Sequence, residues 1–163
     1  MDVLVREARE SELDEIGAVT AAAYEGLVLP DYLSVLRDAR SRWQYPNTTL
    51  LAAFDDGTDG VLGTVVYVEP GSPLSEIGVA DEAEFRMLGV LESARGRGVG
   101  EALVHACVAR AKAERRPRLV LSTTGELKAA HRLYDRLGFS RTPERDWSPT
   151  PGLDLIVYVL ELG

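Results

Sequence analysis

Hydrophobic and polar positions change period several times along this chain, and each change predicts an element. Val3-Leu4-Val5-Arg6 is a short apolar run that predicts a first strand. From Ser11 the period becomes helical, with Leu13, Ile16, Gly17 and Thr20 recurring to about Tyr24. Ser11 with Asp14 three residues on reads as a capping box at that helix's start. Pro30 opens a second helix over about 31–43, with Tyr32, Val35, Leu36 and Ala39 on one face, and Pro46-Asn47-Thr48 breaks it. Residues 49–54 and 61–68 read as a hairpin around Asp55-Asp56-Gly57. After the loop Pro70-Gly71-Ser72-Pro73, residues 84–90 form a further strand; Gly89 inside it marks a bulge or a close backbone approach.

The second half continues in the same manner. A long helix is expected over about 99–114, burying Leu103, Val104, Cys107, Val108 and Ala111. Pro117 ends that segment, and 119–122 is an apolar strand suited to the inside of a sheet. Ala130, Leu133, Tyr134 and Leu137 then mark a helix over about 127–137, with Gly138 placed for a left-handed cap. Residues 139–141 and 153–162 read as two last strands. The order β-α-α-β-β-β-α-β-α-β-β predicts one α/β (α+β) domain over 1–163, a mixed sheet with helices on its faces.

Composition narrows the class. A chain of 163 residues fits one domain and would bury roughly 70% of its unfolded surface. An apolar fraction of 45% and a charged fraction of 27% are those of a globular protein. No apolar run approaches the ~20 residues that span a bilayer, and the first residues lack the layout of a secretion signal, so a cytoplasmic protein without membrane attachment is expected. Cys107 is the single cysteine, His105 and His131 the two histidines, which argues against a disulfide and a zinc site; no metal is expected. Cys107 lies among alanine and valine and reads as a buried thiol.

The net charge of −8 argues against a nucleic-acid partner. Charge is unevenly spread, however. Between Arg95 and Arg118 seven cations face two anions, a local +5 that leaves −13 elsewhere. Such an island suggests one anionic ligand, with a cationic second ligand for the acidic remainder.

The island begins at Arg95-Gly96-Arg97-Gly98-Val99-Gly100, between a strand and a helix. Glycines let backbone approach a ligand closely, a helix start presents unpaired N–H groups, and its dipole adds positive potential. Two arginines add charge, so the stretch reads as a pyrophosphate cradle. A Walker loop would end in Gly-Lys-Ser or Gly-Lys-Thr, whereas Gly100 precedes Glu101; a dinucleotide loop would space its glycines G-x-G-x-x-G.

Arg95, Gly98 and Gly100 in an R-x-x-G-x-G pattern, with Ala130, Leu133, Tyr134, Gly138 and Phe139 beyond the next strand, resemble the GNAT superfamily of acetyl-CoA-dependent N-acetyltransferases. The likeness covers essentially the whole chain. It implies a mostly antiparallel sheet of six to seven strands, helices on both faces, and one parallel pair splayed apart. In such enzymes the strand before the loop lends backbone groups to the pantetheine arm, here Leu88, Gly89 and Val90. The loop residues Arg95, Gly96, Arg97, Gly98, Val99 and Gly100 would hold the pyrophosphate of acetyl-CoA, the co-substrate. Tyr134 would match the acid that protonates the departing thiolate, although the apolar face it occupies also suits a core tyrosine. Glu84 matches a carboxylate placed as base, with Glu82 or a water relay as alternates. The asparagine many relatives carry three residues before the matching alanine is Leu127 here, which puts that contact in doubt; Lys128 or Arg132 could meet a phosphate instead, and His131 reads as a helix-surface residue.

The resemblance implies an enzyme acetylating a primary amine of a small molecule or peptide; a CoA-binding sensor or inactive relative is the alternative. Acceptor contacts are expected from 24–32 and 145–151, where Trp147 reads equally as a lid residue or as strand-edge packing. Monomer and homodimer both stay open.

Overall fold

The computed structural model describes residues 3–56 and 60–163. The hairpin turn expected at Asp55-Asp56-Gly57 therefore lies partly outside the described residues, as do Met1, Asp2 and Asp59. In chain order the elements are β1 (Val3–Glu7), α1 (Leu13–Tyr24), α2 (Pro30–Arg37), α3 (Ala39–Gln44), β2 (Thr48–Asp55), β3 (Val61–Val68), β4 (Ala83–Val90), α4 (Val99–Ala113), β5 (Arg118–Thr124), α5 (Lys128–Arg136), β6 (Ser140–Arg141), β7 (Trp147–Thr150) and β8 (Leu153–Glu161). One sheet runs β1-β2-β3-β4-β5-β8-β6, with β7 paired to β8. The β4–β5 pair is parallel and its neighbours antiparallel.

Period-two alternation sorts side chains onto two faces. Leu51, Ala53, Val65 and Phe85 face α4, where Leu103, Val104 and Cys107 are sealed, and Tyr134 of α5 joins this cluster. Leu50, Ala52, Phe54 and Val66 face the other way, onto Leu13, Ile16, Val19 and Leu36 of α1 and α2. Helices thus cover both faces. Cys107 is fully buried and burial pushes its thiol up to about 12, as suits a structural thiol.

Four local features differ from the sequence-based expectation. A 3₁₀ turn, Glu10–Glu12, precedes α1, and the reciprocal cap is Glu12 accepting the Arg9 amide at 2.8 Å, not the Ser11/Asp14 pair. The second helix is two helices. Asp38 leaves helical geometry and accepts the Ser41 amide to start α3, while the buried Arg42 donates to the Val35 and Leu36 carbonyls at the end of α2. Each new terminus thereby finds a polar partner. The stretch before β8 forms the strand β7, so 147–155 is a hairpin.

The fourth difference concerns β4. Its register shifts against β3 between Thr64↔Gly89 and Val66↔Arg86, which sets Met87 and Leu88 opposite Val65. Met87 has φ 58°, so the bulge sits there and not at Gly89. Gly89 serves the close approach instead, because a Cβ on it would lie 2.8 Å from the Ala23 side chain of α1. Bulging has a second effect: Arg86 and Met87, neighbours in sequence, both reach the α1–α2 side. From Phe85 on, before the bulge is reached, β4 also parts from β5. β4 and β5 pair at Ala83↔Leu119 and Glu84↔Val120, while β4 runs on to Val90 and β5 to Thr124.

Candidate functional site

The parting of β4 and β5 joins two regions on opposite faces of the sheet. On the α4 side lies the glycine loop. Gly96 and Gly98 have φ 79°, a conformation costly for other residues, and a Cβ on either would meet nothing within 4 Å. Their backbone faces open space. Among the described residues the amides of Gly96, Gly98, Val99 and Gly100 donate to no protein acceptor, and intrahelical bonding begins with Ala102 to the Gly98 carbonyl at 3.0 Å. A ring of free N–H groups at the head of a fifteen-residue helix fits a pyrophosphate. Arg97 pairs with Asp55, whereas Arg95 is exposed and has no carboxylate partner among the described residues. The amide of Arg95 itself is engaged by the Glu92 carbonyl at 3.2 Å, and Val99 turns its side chain into the core.

Tyr134 projects from α5 toward the parting. It is 4% exposed, with ring centroids 6.0 Å from Phe85, 5.8 Å from Phe139 and 5.5 Å from Tyr158. Burial pushes its phenol above the ordinary tyrosine range, so it is protonated at neutral pH. Its hydroxyl makes no hydrogen bond to another described residue, yet it is not among the polar atoms sealed from solvent, so the proton it carries stays accessible. Tyr24, at the end of α1, approaches from the other face and donates to the Leu88 carbonyl at 2.8 Å. That bond engages one of the backbone groups expected to meet a pantetheine arm. His131 is held away from the loop, its Nε2 2.8 Å from the Thr124 carbonyl at the end of β5.

On the α1–α2 side is a cavity of about 790 Å³, within the size range of small-molecule sites. Residues from both expected segments line it: Tyr24, Leu27, Val28 and Tyr32 from the first, Pro149 and Pro151 from the second. Leu127 also lines it and occupies the N-cap position of α5 without a side-chain capping bond. Trp147 packs instead against the small cluster of Val120, Val157 and Val159.

The structure does not bring Glu84 to this cavity. Its buried Oε1 accepts the amides of Glu76, Ile77 and Gly78 at 3.0, 3.3 and 3.2 Å, and Oε2 is sealed without a partner. Burial raises its pKa, partly offset by those three amides. Glu82 faces away as well. Burial pushes its carboxyl up, but hydrogen bonds from Arg145, Arg118 and the Val79 amide prevail and hold it at about 2. The carboxylate that does line the cavity is Glu76, whose backbone Glu84 fixes. Burial raises its pKa and Arg86, 3.0 Å away, opposes the rise. Arg86 also donates to the Leu74 carbonyl at 3.1 Å and to the Tyr32 hydroxyl at 3.2 Å. Sequence reasoning missed Glu76 and Arg86 as site residues. A bulge and a loop 69–82 assemble them, and neither carries a periodic signal.

Comparisons with known proteins bear on the family and the fold. The family model described as Acetyltransferase (GNAT) family matches residues 13–139. Among curated proteins none matches the chain. An acetyltransferase of the GNAT family from Staphylococcus aureus Mu50 superposes with TM-score 0.77 at 14% identity, covering 99% of this chain and 100% of that one. PaiA N-acetyltransferase from Thermoplasma acidophilum, solved with coenzyme A, gives 0.69 at 16% identity, with 99% of each chain covered. The ribosomal-protein-S18-alanine N-acetyltransferase from Escherichia coli gives 0.70 at 16% identity, covering 99% and 95%. Identities this low establish the shared fold.

Proposed function

This chain belongs to the GNAT acetyltransferase family, and on that premise we propose that it transfers the acetyl group of acetyl-CoA to a primary amine of a small molecule or peptide. The observation that carries the reading is the protonated phenol of Tyr134 packed against Phe85 of the strand that parts from β5, together with the open glycine loop at the head of α4. Bound acetyl-CoA supplies a thioester whose C–S bond breaks as an N–C bond forms.

The chain's own groups then have defined tasks. Amides of Gly96, Gly98, Val99 and Gly100, with Arg95, hold the pyrophosphate; the edge of β4 from Leu88 through Gly89 to Val90 holds the pantetheine arm. Tyr134 gives its proton to the departing sulfur. The acceptor enters from the opposite face as an ammonium and must lose a proton before attack and another on forming the amide. One of the two replaces that of Tyr134, so one proton is released per turnover. Glu76, on the cavity wall with a raised pKa, receives it directly or through a water. Glu84 is a positioning residue behind it.

Acetyl-CoA consumption against a panel of amines, amino acids and short peptides tests the proposal. Acetyl-CoA that binds without being consumed by any acceptor would identify a sensor instead. Tyr134→Phe should lower kcat on the order of 10²-fold with acetyl-CoA affinity within a few-fold of wild type. An undiminished kcat would return Tyr134 to a packing role.

A further inference from the structure

The cavity's charged lining consists, among the described residues, of one anion and one cation in contact: Glu76 and Arg86. The acidic remainder of the chain predicted a cationic acceptor, yet Glu76 is the one acidic residue that reaches the cavity wall. A polycationic amine would meet as much repulsion from Arg86 as attraction from Glu76. A ligand carrying both charges matches the pair.

Arg86 is built to receive the anionic half. A guanidinium has five N–H donors. Nε faces Glu76, one N–H of Nη1 is given to Leu74 and one of Nη2 to Tyr32, which leaves one N–H on each terminal nitrogen without a protein partner. The side chain is 16% exposed, oriented by three partners and part of the cavity wall, so these two N–H groups are poorly hydrated. Two parallel N–H groups on one guanidinium edge fit a carboxylate bidentately. The bulge at Met87 supports the same use, since it aims Arg86 and Met87 together at the cavity. Around this polar end the lining mixes the hydroxyls of Ser122, Thr123, Thr124 and Thr150 with a larger number of apolar side chains. Leu27, Leu29 and Leu153 stand at its rim 46%, 78% and 42% exposed, an apolar collar facing solvent.

We propose that the acceptor is a free amino acid with an apolar side chain, its carboxylate on the Nη1 and Nη2 edge of Arg86 and its ammonium toward Glu76 and the parted strands. The assignment rests on the acetyltransferase reading above and narrows its acceptor. Attack by the amine nitrogen forms the N–C bond and releases the CoA thiol with the same proton balance.

The test compares leucine, methionine and phenylalanine with their carboxamides, with spermidine and with a Leu-Gly dipeptide, by steady-state acetyl-CoA consumption. The free acids should exceed their amides on the order of 10²-fold in kcat/KM, because the amide removes the charge that Arg86 binds. In Arg86→Gln that ratio should collapse to within about threefold, mainly through KM, and Arg86→Lys should restore part of it. Equal turnover of acids and amides by wild type, or a preference for spermidine or the dipeptide, would overturn the amino-acid assignment while leaving the acetyltransferase standing. Acetyl-CoA consumption with none of these or any other amine would remove both. The acid-to-amide comparison needs no variant, so it decides the matter even where Arg86→Gln does not fold.

Discussion

Glu84 and Glu82 stand two residues apart at the head of one strand, yet the fold gives them opposite electrostatics. Glu84 is 1% exposed and accepts three loop amides with a single oxygen, while among the described residues no cation pairs with it. Its pKa is raised above the unfolded value, so its ionised form is the unfavourable one in the folded state. Glu84→Gln keeps the accepting oxygen and removes the charge. The stability difference between wild type and Glu84→Gln should therefore move against the wild type as pH rises from about 5 to 8, the range above an ordinary carboxylate pKa. Glu84→Ala loses all three bonds and should be about 3 kcal/mol less stable than Glu84→Gln by urea denaturation, at about 1 kcal/mol per bond. Turnover separates positioning from proton transfer: Glu84→Gln should stay within a few-fold of wild type, and a loss on the order of 10²-fold would make Glu84 the base.

At the scale of elements, the parting of β4 and β5 and the loop before β4 are what make a site from ordinary secondary structure. Glu82 joins three segments there. Arg118 opens β5, Arg145 belongs to the short 3₁₀ turn before β7, and Val79 lies in the loop; all three donate to one buried carboxylate. Because the folded pKa of about 2 lies below the unfolded value, this stabilisation is complete above an ordinary carboxylate pKa and is lost as pH falls from about 5 toward 2. Thermal melts across that interval should show a steep loss in wild type and a shallower one in Glu82→Gln. At pH 7 Glu82→Gln should be less stable by about 3 kcal/mol, because two arginines are left facing an uncharged group. An equal slope for both proteins would place the acid sensitivity elsewhere. Element boundaries were largely legible in the sequence, since α1, α4, β3 and β8 follow strong periodicity. The α2–α3 break was not, because it depends on Arg42 reaching back to the Val35 and Leu36 carbonyls, a contact between turns that no window of hydropathy records.

For the whole molecule, the basic island proves mostly neutralised. Arg110 pairs with Glu7, Arg116 with Glu69, Arg118 with Glu82 and Arg97 with Asp55, each partner coming from a distant part of the chain. What faces outward for an anion is the loop itself. CoA should therefore stabilise the protein through that loop: at a concentration 100 times Kd the gain is about 2.7 kcal/mol, or a Tm rise of roughly 5–10 °C for a chain of this size. Gly98→Val forces a branched side chain into φ 79° and into the space before the loop, so its melt should be nearly insensitive to CoA. A full CoA-dependent rise in Gly98→Val would dislodge the loop assignment. Among the described residues no helix is long and apolar enough to cross a membrane.

The sequence by itself determined the order of elements, the two faces of the sheet and the glycine loop at the head of α4. Each of these depends on residue type and spacing within a few turns of chain. Tertiary structure alone decided which charges meet. It moved the bulge from Gly89 to Met87, withdrew Glu84 and Glu82 from the cavity, and set Glu76 against Arg86 beside Tyr32. Those contacts join residues ten to more than fifty positions apart, and whether a carboxylate is free, paired or sealed depends on burial and partners that only the folded chain supplies. The loop that opens α4 was therefore readable from its glycines, while the acceptor side had to wait for the fold to bring α1, β4 and the β7–β8 hairpin around one cavity.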